Sequence, residues 1–166
     1  MPLFASYIPQ VNFAAASFGQ GIAVTPIELI NAVSVIANGG QMMRPYINNA
    51  LEPKSLGTII SSSTAKLVTQ MMVAAVDKAA VAKLSGYSIA GKTGTAYVPD
   101  PKTKGYSDKV INTYVGFGPA TNPRFIILMK LDEPEGAPVA ALTVVPAFRD
   151  LAQFIFNYYN VPPDRL

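Results

Sequence analysis

Gly91-Lys92-Thr93-Gly94-Thr95 places an ammonium, two hydroxyls and a glycine on successive residues. A cation flanked by hydroxyl donors holds an anionic terminus through charge-assisted hydrogen bonds. Gly94 lets a ligand lie against the backbone where a Cβ would otherwise stand. The same letters have rival readings. Gly86 to Thr93 fits the nucleotide-binding pattern G-x-x-x-x-G-K-[ST], and Phe125–Leu131 followed by Asp132 imitates a strand ending in a magnesium-binding carboxylate. A blander reading makes Lys92 a surface lysine on an edge strand, with Gly94 at a bulge. A second candidate is Ser63-Thr64-Ala65-Lys66, the only S-x-x-K of the chain, in which the lysine one turn on could take the serine proton.

The elements around these residues separate the readings. A phosphate loop needs a strand before it and a helix starting at its Lys-Thr, so that backbone N–H groups converge on the phosphates. Here Asp77–Ser85 is rich in alanine and lysine without strand character, and Gly94–Val98 is β-prone and stopped by Pro99. The motif is therefore expected on a strand, Tyr87–Tyr97. Pro99 to Lys109 reads as a polar loop, and Val110–Phe117 and Phe125–Leu131 as strands joined across the turn-rich Gly118–Pro123, an antiparallel meander.

Upstream, residues 1–24 read as irregular structure. Thr25-Pro26-Ile27-Glu28 supplies a cap hydroxyl, a proline at the first helical position and a carboxylate for a capping box. Leu29, Ile30, Val33, Ile36 and Ala37 follow at helical spacing to Asn38-Gly39-Gly40, which predicts a buried helix. Met43–Ile60 reads as short extended pieces. Ser61-Ser62-Ser63 opens a second helix, with Ser63 as its cap and Leu67, Val68, Met71, Met72, Ala75 and Val76 turned inward. On that assignment Lys66 falls on the polar face, which argues against a catalytic Ser63. Beyond Pro146 a last helix carries Phe148, Leu151, Ala152, Ile155 and Phe156 on one face.

Composition limits the chemistry. With 166 residues the chain has the size of one domain. It contains no cysteine and no histidine, which excludes Cys/His zinc sites, thiol catalysis and a Ser-His-Asp triad. Neither a cofactor nor a metal is expected. A net charge of +3 on scattered lysines gives no basis for nucleic-acid binding. No apolar run approaches the ~20 residues that span a bilayer. The first basic residue is Arg44, so the N-terminus does not read as a secretory signal. Charged residues make up 14% of the chain, against about 25% in a typical domain. So sparse a surface suits a piece of something larger, whose partner covers part of the apolar area.

Several segments in order carry a family resemblance. Ala15-Ala16-Ser17-Phe18-Gly19-Gln20-Gly21 through Pro26, then Ala90-Gly91-Lys92-Thr93-Gly94-Thr95-Ala96, then Val115–Pro123 and Asp132-Glu133-Pro134, resemble the C-terminal part of the transpeptidase domain of class B penicillin-binding proteins of the division and sporulation type. The resemblance implies an α+β, partial β-lactamase/transpeptidase-like fold, with an antiparallel sheet of three C-terminal strands packed with helices. It also implies a serine-type peptidoglycan D,D-transpeptidase that cross-links stem peptides through an acyl-serine. Lys92, Thr93, Gly94 and Thr95 would bind the terminal carboxylate of a D-Ala-D-Ala peptide or a β-lactam, with Lys92 near the nucleophile. The Thr95 backbone N–H would be one of two oxyanion donors. Implied partners are the stem peptide, β-lactams, the N-terminal part of the domain and other cell-wall synthesis proteins. The implied location is the extracytoplasmic face of the bacterial cytoplasmic membrane, through an anchor on the parent protein.

The departures shape the expectation. Of the family's S-x-x-K, S-x-N and K-T-G motifs, only the third is in place. S-x-N does not occur, and Tyr46-Ile47-Asn48, a Y-x-N on paper, follows the Ser-Phe-Gly-Gln-Gly segment instead of preceding it. Ser63 lies where the family has a structural helix. The paired glycines usual before the last helix are missing from Glu135–Pro146. Residues 1–166 thus read as an incomplete domain without its nucleophile, inactive alone. Alternatives are a non-catalytic binding or assembly fragment of the same fold, and a nucleotide binder at Gly86–Thr93.

Overall fold

In the computed structural model, residues 10–100, 102, 105–136 and 139–165 are described. The elements run α1 (Gln10–Ala16), α2 (Pro26–Ala37), β1 (Gln41–Met43), β2 (Ser55–Thr58), α3 (Ser62–Ala79), β3 (Ala90–Asp100), β4 (Gly105–Gly118), β5 (Phe125–Asp132), a short 3-10 helix (Ala140–Leu142) and α4 (Val144–Tyr158). β1 and β2 form a small antiparallel hairpin, and β3-β4-β5 an antiparallel meander. The expected α+β architecture with three C-terminal strands is what the chain adopts.

Local chemistry explains most boundaries. The Thr25 hydroxyl accepts from Glu28 N and the Glu28 carboxylate accepts from Thr25 N, closing the capping box, with Pro26 in the first turn. Those bonds hold the Glu28 carboxyl below its ordinary value. At α3 the cap is Ser61, whose Oγ accepts from Thr64 N, so Ser63 is already inside the helix. Within residues 1–24, Gln10–Ala16 is helical and not irregular. Residues 1–9 lie outside the described part. The expected loop from Pro99 to Lys109 is mostly strand: β3 runs on to Asp100 past an irregularity between Tyr97 and Pro99, and β4 begins at Gly105. Cross-strand pairing absorbs Pro99 because an edge strand tolerates a residue without an N–H. α4 begins two residues before Pro146, placing that proline in its first turn, where no intrahelical donor is needed.

Core formation follows the alternation of β4. Tyr114 and Gly116 face α4, where Phe148, Ala152 and Phe156 are buried with Val76, Leu84, Ile89 and Val145. Tyr87 stacks on Phe156 with ring centroids 3.9 Å apart, and Tyr114 meets Phe148 edge-on at 4.6 Å. Val115 and Phe117 point to the opposite face and are also buried. Two helix faces differ from expectation. Only Val35 of α2 is fully buried. On α3 the buried residues are Ala65 and Val76, while Leu67 and Met71 are 58% and 64% exposed. A helical stripe of apolar residues identifies a face wanting cover, but here the sheet takes the neighbouring face. Leu151 of α4 is likewise outside the buried set.

The C-terminal segment is laced to the entry of β3. The Asp164 carboxylate accepts from Ser88 N at 2.7 Å, from Ser88 Oγ and from Thr121 Oγ1 at 2.8 Å. Arg165 pairs in parallel with both oxygens of Asp77, at 2.8 and 2.9 Å. Burial works to raise the Asp164 carboxyl, but the bonds from Ser88 and Thr121 and the charge of Arg165 outweigh it and hold it below its ordinary value. A depressed carboxylate stabilises the fold above the unfolded value near pH ~3.9 and loses that contribution as pH falls through the folded value. Thermal unfolding should therefore shift downward below pH ~4. Asp164→Asn should flatten part of that dependence and lower Tm at neutral pH by about 3–12 °C, from the ~1.5–3 kcal/mol of a hydrogen bond to a charged group. An unchanged acid profile in the variant would show that Asp164 carries none of it.

Candidate functional site

The motif occupies β3, and its geometry follows from the ladder. Glu133 N donates to Val110 O at 2.9 Å and Arg124 N to Gly118 O at 3.0 Å, so the even-numbered residues of β4 bond to β5. Antiparallel pairing alternates, which leaves the odd-numbered residues of β4 to bond β3. Through the register Lys92↔Val115, Gly94↔Thr113 and Ala96↔Ile111, the even-numbered residues of β3 bond to β4. Gly91, Thr93 and Thr95 therefore present their N–H and C=O groups to the far side. Among the described residues no strand pairs there, since β3 is the edge of the sheet.

Side chains divide between the two faces. Lys92 is exposed, and its Nζ donates to Thr93 O at 2.7 Å, across the open edge. The Thr93 hydroxyl is exposed and makes no hydrogen bond among the described residues. Thr95 Oγ1 is engaged from both sides: it donates to Asn112 Oδ1 at 3.1 Å and accepts from Ala140 N at 3.4 Å. At rest, Thr93 is thus the hydroxyl with a hydrogen to spare for a carboxylate. A Cβ at Gly94 would stand 2.4 Å from Thr113 Oγ1, the rotatable end of the cross-strand side chain.

Beside the strand lies a cleft of about 270 Å³, lined by Ala75 and Ala79 of α3, by Gly91, Lys92 and Thr93, and by Tyr114. The Tyr114 hydroxyl is buried there without a hydrogen-bond partner, and burial pushes its phenol up. The residue is 3% exposed, directly beneath Gly91.

The other sequence candidates do not converge on this edge. Lys92 and Thr93 are mid-strand and no helix starts at them, so the backbone has no phosphate-cradling loop at Gly86–Thr93. Asp132 pairs with Lys130 on β5. Ser63 sits at the start of α3 with its Oγ 2.9 Å from Ser61 Oγ, and about 18 Å of helical rise separates it from Ala75 at the cleft. Lys66 is exposed, as expected, although Leu67 beside it is too. Asn48 uses its side chain in its own turn, accepting from Ala50 N at 3.0 Å.

Sequence reasoning missed Asn112, Tyr114 and Thr143. Asn112 left one signal: it is a polar residue at an inward position of an apolar alternating strand.

An antiparallel sheet packed with helices on both sides, bearing a Lys-Thr-Gly-Thr run on its open edge strand, defines a β-lactamase/transpeptidase-like domain. The chain superposes with a TM-score of 0.83 on the apo transpeptidase domain of penicillin-binding protein 3 from Burkholderia pseudomallei, at 29% identity over 96% of this chain and 50% of that one. Residues 5–152 match the family described as the penicillin binding protein transpeptidase domain. It is 31% identical to the peptidoglycan D,D-transpeptidase FtsI homolog of Mesostigma viride, over 96% of this chain and 31% of that protein. It is 34% identical to stage V sporulation protein D of Bacillus subtilis, over 76% of this chain and 22% of that protein. The chain belongs to the penicillin-binding protein transpeptidase family, of the class B, division and sporulation type. It spans about a third or less of the length of these two relatives.

Proposed function

We propose that the chain supplies the substrate-binding and oxyanion strand of a peptidoglycan D,D-transpeptidase, the attacking serine being supplied by residues outside 1–166. The observation that carries this is the open edge of β3. A peptide laid along it meets the outward N–H and C=O groups of Thr93 and Thr95, the usual way an extended segment adds to a sheet edge. Its terminal carboxylate, or that of a β-lactam, falls to the Thr93 hydroxyl and Lys92, and the developing oxyanion to Thr95 N–H. The role of Lys92 is charge and polar contact near the reacting serine. The domain acts on peptidoglycan outside the cytoplasmic membrane, to which the parent protein is anchored. Among the described residues no helix is long and apolar enough to cross a membrane.

Exposed Phe13, Phe18, Ile27, Leu67 and Met71 give this reading a second support, since large apolar side chains left open to solvent suit a chain whose N-terminal partner would cover them. Intact mass spectrometry with a β-lactam tests the assignment. The chain alone should gain no adduct, and the chain co-expressed with the N-terminal part of a related transpeptidase domain should gain one, on a serine of the added part. An adduct on Ser63 would overturn it. So would a folded, co-purified pair that never acylates, which would favour the non-catalytic binding or assembly reading.

A further inference from the structure

Asn112 is 0% exposed and belongs with Phe117, Phe148, Phe156 and Ile89 among the largest fully buried side chains. Its amide is used at both ends. Oδ1 accepts from Thr95 Oγ1 at 3.1 Å on the motif strand, and Nδ2 donates to Thr143 Oγ1 at 3.1 Å, immediately before α4. A third bond closes the arrangement, from Ala140 N of the 3-10 helix to Thr95 Oγ1 at 3.4 Å. Packing alone does not call for an amide here. A leucine fills similar space without the cost of desolvating two polar groups, and a buried amide is tolerated only where both ends are bonded.

The result is a side-chain polar tie that adds to the β3-β4 ladder and joins it to the segment entering α4. Thr95 is the only motif residue it grips. Among the described residues Thr93, two residues earlier, makes no hydrogen bond through its hydroxyl, and Lys92 reaches only to a neighbouring carbonyl. The residue whose backbone N–H is assigned to the oxyanion is therefore the one whose side chain is fastened to β4 and to the 3-10 helix.

We propose that Asn112 is a positioning residue for acyl transfer: by holding the Thr95 side chain against the 3-10 helix and the start of α4, it fixes where the Thr95 N–H points. This rests on the oxyanion role given to Thr95 above. Asn112 does not touch the substrate. Its loss lets β3 relax at Thr95, and a displacement of ~1 Å at a reacting geometry costs on the order of 100-fold in rate.

The test uses the chain co-expressed with the N-terminal part of a related transpeptidase domain. The concentration dependence of acylation by a fluorescent penicillin separates noncovalent affinity from the acylation rate constant. Asn112→Ala should lower the rate constant by about 10- to 100-fold, with affinity within about threefold. Thr95→Val should resemble Asn112→Ala, and Thr95→Ser, which keeps the hydroxyl that Asn112 holds, should recover most of the rate constant lost in Thr95→Val. The double variant Asn112→Ala/Thr95→Val should be no slower than the slower single, since both break one tie. Thr93→Val is the contrast, weakening affinity instead. If Asn112→Ala does not fold, the Thr95→Val and Thr95→Ser pair decides alone. A folded Asn112→Ala with the wild-type rate constant, additive effects in the double variant, or Thr95→Val matching wild type overturns the proposal while leaving the transpeptidase reading intact. A wild-type pair that forms no adduct overturns that reading, and this role with it.

Discussion

Thr95→Pro should slow acylation by about 100- to 1,000-fold relative to Thr95→Val, the loss typical of removing one oxyanion donor. Proline is the one substitution that deletes a backbone N–H, and in most strands it would also break the ladder. At this position it does not, because the ladder bonds of β3 fall on Lys92, Gly94 and Ala96 while the N–H of Thr95 faces the open edge. Thr95→Val is the proper reference, since it shares the loss of the hydroxyl that binds Asn112 and keeps the N–H. Acylation of the assembled protein by a fluorescent penicillin, with thermal unfolding to show that both variants fold, supplies the comparison. Equal rates in the two variants would remove Thr95 from the oxyanion role.

Gly91→Ala should cost stability near the upper end of the ~1–3 kcal/mol range for overpacking, a Tm lower by about 6–12 °C. The added Cβ would stand 2.0 Å from the Tyr114 hydroxyl, 2.5 Å from Cζ and 3.1 Å from Cε1. That ring cannot swing aside, being buried edge-on against Phe148. Gly94→Ala makes a useful contrast, because its Cβ meets only Thr113 Oγ1, which can rotate away. Thermal scans of the two variants should therefore diverge, with Gly94→Ala close to wild type and Gly91→Ala well below it. Similar melting temperatures would mean that Tyr114 has room that the packing denies it.

How much of this was legible in the sequence depended on the range of the interactions involved. The α2 start was, because Thr25, Pro26 and Glu28 satisfy one another within a single turn. So was the meander around Phe125–Leu131, where turn residues and strand runs are adjacent. The cap of α3 was misplaced by two residues, since three consecutive serines offer the same hydroxyl and only the backbone selects Ser61. The inward face of α3 was misjudged for a different reason. Its sequence carries apolar residues on more than one side, and the packed fold buries Ala65 and Val76 in preference to Leu67 and Met71. At β3 and β4, pairing between strands extended both ends into what reads locally as a polar loop.

By itself the sequence determined which groups are available: no histidine or cysteine, one Lys-Thr-Gly-Thr run on a strand, and enough ordered motifs to point to the family. Those are properties of residue type and short spacing, which survive without knowledge of neighbours. Only the tertiary structure decided how the two threonines differ. Both are exposed hydroxyl residues on the same strand face, yet Thr93 is open while Thr95 is tied through Asn112 and Ala140. Those partners lie 17 and 45 residues away along the chain, brought to Thr95 by β4 pairing and by the packing of the segment before α4. Nothing in local spacing encodes that difference, because a hydrogen bond between distant residues exists only once the backbone has closed around it.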